Sequence, residues 1–191
     1  MDKIQEYYKN TENALPHELT KEFIKLGIQP SKGIELGAGA GRDSIYLIRN
    51  GWDMTCIDKE NTEELIKNKL NNSEINKFNF RVTTFEQLEL DKNKLILANY
   101  SLPFCNKYKF KEVWDKIVES IEIDGYFVGN FFGVNDSWKS IKEKMTFLED
   151  KEVKELFNNF EIVKFEEIEK DGITGMGKTK HWHIYNVIAK K

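Results

Sequence analysis

Glycines stand at alternate positions in Glu35-Leu36-Gly37-Ala38-Gly39-Ala40-Gly41-Arg42-Asp43-Ser44, directly after the apolar start of a strand. Lacking a Cβ, glycine lets backbone come very close to a ligand, and a strand that turns into a helix this way aims free N–H groups at it. The spacing is GxGxG rather than GxGxxG, and Glu35 stands just before the first glycine. A carboxylate there would repel a pyrophosphate at the helix N-terminus but suits a ligand with a cationic amino group. Asp58 ends a second apolar run 17 residues after Gly41, where an acid can accept both hydroxyls of a ribose. Together the two acids point to S-adenosylmethionine, whose methionine part carries the amine. Arg42 opens the helix within reach of a carboxylate bound at the turn.

These groups must be positioned by alternating elements. Short apolar runs predict strands over 33–36, 53–58, 79–83 and 94–98, with helices over 43–50 and 62–70; Gly51 ends the first helix. Val113, Trp114, Ile117, Val118 and Ile121 make one apolar stripe, predicting a helix over 110–123 closed by Asp124-Gly125. The run 126–132 reads as a strand buried on both faces in the sheet centre. A helix over 151–158, N-capped by Asp150, precedes antiparallel strands over 160–168 and 182–189, joined by a mobile loop over 171–178. The expected fold is α/β and Rossmann-like. It has a seven-stranded, mostly parallel sheet, one antiparallel strand near the edge, and helices on both faces. In such a sheet the glycine turn, Asp58 and the segment Asn99-Tyr100-Ser101-Leu102-Pro103-Phe104 share the carboxyl end. Residues 13–26 carry Leu15, Leu19, Phe23 and Leu26 at helical spacing and suit a cap over the open end of the sheet.

The 191 residues fit one domain, a helical cap over 1–30 and a cofactor-binding core over 31–191. Hydrophobic residues make up 40% and charged ones 32% of the chain, enough for a core and a solvated exterior. With 29 Lys and Arg against 32 Asp and Glu, no basic excess is present to neutralise a nucleic-acid backbone. The polar start leads into no apolar signal region, and no run of about 18 apolar residues suggests a membrane span; the expected place is the cytoplasm. Cys56 and Cys105 lack paired spacing, which excludes a disulfide framework or a cysteine zinc site. Cys56 reads as a small core residue.

The segment Glu35 to Ser44 resembles motif I of class I S-adenosylmethionine-dependent methyltransferases, and its GRDS continuation is similar to small bacterial members of the tellurite-resistance and thiopurine type. The resemblance runs over nearly the whole chain after residue 30. It includes Ile57-Asp58 as motif II, Asn99 to Phe104 at the place of motif IV, and the closing run Lys180-His181-Trp182-His183-Ile184-Tyr185. It implies methyl transfer to a small-molecule acceptor by direct displacement. The cofactor would be held by Glu35, Gly37, Ala38, Gly39, Gly41, Arg42, Asp58, Lys59 and Asn99, with Asn99 and Tyr100 beside the reacting methyl. Where family members carry an Asp for the adenine amino group, this chain reads Thr83-Thr84-Phe85-Glu86; Thr84 or Glu86 then supplies the polar contact and Phe85 an apolar wall. Tyr7 and Tyr8, before the N-terminal helix, lie either in a cofactor lid or in a solvated tail. His181 and His183 share one face of the last strand, and as a metal pair they have no third ligand nearby in sequence, which favours structural or substrate-lining roles; no metal is expected. Two other readings stay open: a nicotinamide-dependent oxidoreductase on the same kind of sheet, and a non-catalytic S-adenosylmethionine-binding module.

Overall fold

The computed structural model describes residues 3–191. Seven strands form one sheet in the order β3-β2-β1-β4-β5-β7-β6: β1 Lys32–Leu36, β2 Asp53–Asp58, β3 Phe78–Val82, β4 Asn93–Ala98, β5 Ile121–Phe132, β6 Glu161–Ile173 and β7 Thr179–Lys190. β7 runs antiparallel to both neighbours and the other pairings are parallel, so the expected sheet is the observed one. The helices are α1 Lys3–Thr11, α2 Glu18–Lys25, α3 Arg42–Arg49, α4 Glu63–Lys67, α5 Asn72–Ile75, α6 Phe110–Ser120 and α7 Asp150–Leu156. Among the described residues, no helix is long and apolar enough to cross a membrane.

Strand alternation sends successive side chains to opposite faces, giving two cores. On one face Ile34, Leu36, Phe127 and Phe131 pack against Val113, Trp114 and Ile117 of α6 and Phe157 beyond α7. On the other, Met54, Leu97, Tyr126 and Val128 pack under Leu47 and Ile48 of α3 and Phe23 of α2. Phe23 sits 5.4 Å from Trp52 and 5.5 Å from Tyr126, centroid to centroid. Helix α2 therefore lies on a face of the sheet rather than across its end, with only its N-terminus at the carboxyl edge. The helical segment is shorter than 13–26 because proline at position 16 holds the preceding chain out of helical geometry. Leu15 is consequently left exposed, while Leu19 and Phe23 are buried.

Four boundaries differ from the sequence reading. Helix α6 ends at Ser120 because β5 starts at Ile121, and Asp124-Gly125 lies inside that strand: a step of two on β4, Asn93 to Leu95, faces a step of five on β5, Ile121 to Tyr126. Glu149, not Asp150, caps α7, reciprocating with Glu152 in a capping box. The short α5, closed by an Asn71–Glu74 capping box, breaks the link from α4 to β3. The 171–178 segment begins as ladder, since Asp171, Gly172 and Ile173 pair with His181, Lys180 and Thr179. Only residues 174–178 turn, and the hairpin extends over the carboxyl edge of the sheet as an arm. Cys56 and Cys105 are both buried free thiols.

Candidate functional site

The strand order reverses between β1 and β4, and the crevice at that point is where open α/β sheets hold ligands. A cleft of about 1850 Å³ opens there. It collects every residue expected from the sequence except Gly41: Glu35, Gly37, Ala38, Gly39 and Arg42; Asp58 and Lys59; Thr84, Phe85 and Glu86; Asn99 and Tyr100. A single ligand site commonly occupies about 300–1,000 Å³, so there is room for two molecules.

The turn's geometry explains two of its glycines. Gly37 has φ +72°, and a Cβ there would lie 2.4 Å from the Ser101 Cβ; Gly41 has φ +76°, and a Cβ would lie 2.6 Å from Ile66 Cγ1. Left-handed backbone and close contact together demand glycine. Gly41 is thus set by packing under α4 rather than by the cleft. The N–H groups of Gly37 and Ala38 both bond to the Ile57 carbonyl, at 2.7 and 3.1 Å, tying the turn to the end of β2.

Asp58 completes that tie. Its Oδ2 accepts the Gly39 N–H at 2.8 Å and its Oδ1 the Glu60 N–H at 3.0 Å. A carboxylate offers about four lone-pair sites, so two are left for a ligand. Tyr8 also lies against Asp58: burial, then the Asp58 charge, pushes the phenol well above its usual range. Tyr7 and Tyr8 precede α2, as the sequence suggested, but they lie in a helix of their own, α1, and line the cleft.

Glu35 is 3% exposed. Its Oε2 accepts the N–H of Ser44 at 3.0 Å and also the Ser44 hydroxyl, which fastens β1 to α3. Burial, followed by the nearby Asp43 charge, pushes its carboxyl well above the ordinary carboxylate range. Asn99 donates to the Thr20 hydroxyl at 2.7 Å and to Asp43 Oδ2 at 3.3 Å, while its Oδ1 is buried without a partner in the protein. Tyr100 carries a non-glycine positive φ of 50°, a strained arrangement held by the Asn130 side chain, which accepts the Tyr100 N–H at 2.9 Å.

Beyond Tyr100 the cleft becomes aromatic. Phe132 and Trp182 stand edge-on to Tyr100 at 6.3 and 6.0 Å, and Trp138 lies 5.9 Å from Trp182. Beneath them the Lys180 ammonium, ion-paired with buried Asp136, lies 3.9 Å from the Trp182 ring centroid and 4.5 Å from that of Trp138. This wall was not read from the sequence. The available signal was the alternation Lys180, Trp182, Ile184 on β7, but its facing depends on where the hairpin lies.

The same alternation turns His181 and His183 away from the cleft, so neither lines it. Register across β6–β7 places Glu169 and Asp171 opposite His183 and His181. Glu167, Glu169 and His183 come close enough to share one ion, so carboxylates missing from the local sequence are supplied by the neighbouring strand. The Asn135 N–H, however, donates to His183 Nδ1 at 3.1 Å, which puts the ring proton on Nε2, where it is donated to Glu167 at 2.8 Å. A metal on Nε2 would require a proton on Nδ1, facing that N–H. The grouping is a hydrogen-bonded brace between strands.

A family model described as tellurite resistance protein TehB matches residues 2–178. A carboxy-S-adenosyl-L-methionine synthase of Nautilia profundicola is 26% identical over 83% of this chain and 67% of that protein. A probable S-adenosyl-L-methionine-dependent methyltransferase TehB of Haemophilus influenzae is 23% identical over 73% of this chain and 49% of its own length; the chain spans about half of that relative. Among solved structures, TehB from Haemophilus influenzae superposes with TM-score 0.76 at 17% identity, over 97% of this chain and 65% of that one. A Burkholderia thailandensis 1,6-didemethyltoxoflavin-N1-methyltransferase with bound S-adenosylhomocysteine gives 0.71 at 17% identity, over 95% and 80%. At these identities the superpositions establish the fold.

Proposed function

Because this chain belongs to the tellurite resistance protein TehB family, we propose that it is a cytoplasmic S-adenosylmethionine-dependent methyltransferase acting on a small-molecule acceptor. One observation carries the reading: a single cleft with room for two molecules brings together Arg42, the unpartnered Asn99 Oδ1 and the two remaining acceptor sites of Asp58. These suit, in turn, a carboxylate, an amino group and a pair of ribose hydroxyls. The relatives' printed names support it, since they concern the same cofactor.

In this reading Gly37, Ala38 and Gly39 lie under the methionine part, Arg42 holds its carboxylate, and Asn99 with Glu35 receives its amine. Asp58 and Lys59 border the ribose; Thr84 or Glu86 meets the adenine amino group beside Phe85. When bound, the cofactor supplies a methyl carbon already activated on a sulfonium. The protein's part is to align the acceptor with that carbon and exclude water. Tyr100, Phe132, Trp138 and Trp182 form the acceptor chamber, and the β6–β7 arm with α1 covers the cleft.

Calorimetric titration with S-adenosylmethionine and S-adenosylhomocysteine, followed by a tritiated-methyl assay on thiophenol, catechol, aniline and tellurite, tests the proposal. Binding of both nucleosides and labelling of at least one acceptor are expected. Absence of binding to folded protein overturns it, and binding without labelling overturns the catalytic part in favour of a binding module.

A further inference from the structure

His17 directly precedes α2, and Asp43 is the second residue of α3. One carboxylate grips both parts of His17: Oδ1 accepts its main-chain N–H at 2.8 Å, and Oδ2 meets the ring Nδ1 at 2.5 Å. Asp43 is 1% exposed. Burial opposes its charge, yet the His17 bonds outweigh burial and hold the carboxyl below its usual range. A carboxylate can only accept, so Nδ1 carries the proton and Nε2 is the ring nitrogen left to accept. Arg42 agrees: its guanidinium, which can only donate, faces that Nε2. The ring stacks on Tyr100 at 4.9 Å and 28°, and both residues line the cleft. His17 therefore stands between the arginine beside the glycine turn and the first ring of the aromatic chamber.

We propose that His17 is the proton acceptor for the methyl acceptor's nucleophile, masked by Arg42 until the cofactor's carboxylate draws that guanidinium away. The inference rests on the methyltransferase reading. For an acceptor X–H, the X–C bond to the methyl carbon forms as the C–S bond of the sulfonium breaks and its electron pair stays on sulfur. The X–H proton passes to His17 Nε2, the Asp43 carboxylate stabilises the resulting imidazolium, and water later removes the proton. This assigns the acceptor to a class: a thiol, hydroxyl or amine with a proton to lose, rather than a lone-pair donor such as tellurite. A histidine that merely anchored α2 to α3 would keep its Arg42 contact at Nε2 whether or not the cofactor is bound.

Long-range ¹H–¹⁵N spectra test this without turnover, because the chain has only three histidines, His17, His181 and His183. His17 is expected as the Nδ1–H tautomer and His183 as Nε2–H. Adding S-adenosylhomocysteine should shift the His17 Nε2 resonance and leave that of His183 in place. An Nε2–H tautomer at His17, or an Nε2 unmoved at saturating ligand, overturns the proposal. His17→Asn keeps a donor for Asp43 and removes Nε2. It should bind S-adenosylhomocysteine within about threefold of wild type but lower kcat about 100-fold or more on any thiophenol, catechol or aniline methylation, with KM for S-adenosylmethionine little changed. Equal kcat in variant and wild type on those acceptors overturns the proposal, as does labelling of tellurite alone. If no nucleoside binds, or no acceptor is labelled, the methyltransferase reading itself fails and this inference with it.

Discussion

Replacing Asp58 with asparagine separates the two tasks of that carboxylate. Its oxygens hold the Gly39 and Glu60 N–H groups at 2.8 and 3.0 Å and keep two acceptor sites, which the proposed function gives to the ribose. Asparagine has one carbonyl oxygen and an amide that can only donate, so one main-chain N–H loses its partner. Losing a neutral-donor bond to a charged acceptor costs about 1.5–3 kcal/mol, which for a domain of this size lowers Tm by roughly 3–12 °C. On the ligand side, one hydroxyl bond is lost and the other loses its charge, together about 2–4 kcal/mol, so Kd for S-adenosylhomocysteine rises about 30- to 1,000-fold. Calorimetry of Asp58→Asn checks the affinity, and a 2′,3′-dideoxy analogue closes a double-mutant cycle. Variant and wild type should bind that analogue nearly equally. A Kd within threefold of wild type for the intact ligand, or an equal loss for the analogue, would refute the ribose assignment.

Glu35→Gln should weaken S-adenosylhomocysteine about 10- to 100-fold by calorimetry. Because burial raises the Glu35 pKa in the folded state, that state keeps a proton the unfolded chain has lost. The associated stability is present below the ordinary carboxyl range and is lost as pH rises through the raised value. Melting curves of Glu35→Gln should therefore fall less than those of wild type as pH rises above the ordinary carboxyl range. Gly37→Ala forces a side chain against Ser101 at φ +72°; the expected result is an affinity loss of about tenfold or more at a stability cost of about 1–2 kcal/mol, read by titration and thermal melts. Asp136→Asn leaves the Lys180 ammonium buried without its counter-charge, which should cost about 3–5 kcal/mol in denaturant unfolding; a midpoint unchanged from wild type would show that the three rings hold the cation alone.

Sequence reading reached the fold because its signals are local. Apolar runs of four to six residues, turn glycines and the helical stripe of α6 are properties of neighbours along the chain, and their alternation already specifies a mostly parallel sheet. It missed where α6 ends, since the stripe runs on to Ile121 while pairing with β4 claims that residue for β5. It also shortened the β6–β7 arm, because Gly172 and charged residues read as a loop although a partner strand was there to satisfy their backbone groups.

The site divides along the same line. The glycine turn, the acid ahead of it and the acid ending β2 were legible because a ligand-binding turn is built from consecutive residues, and they sufficed to name a cofactor class. Tertiary structure alone decided what those residues are bonded to: that Glu35 is fastened to Ser44, that Asp43 holds a histidine 26 positions earlier, and that Asp136 pairs with Lys180 beneath the aromatic wall. Such meetings depend on strand register and on the face a helix presents, and these are set only when the two cores pack. Composition and spacing therefore pointed to the kind of ligand, while packing decided the aromatic wall and the His17–Asp43 pair on which the proposed acceptor chamber and acceptor class rest.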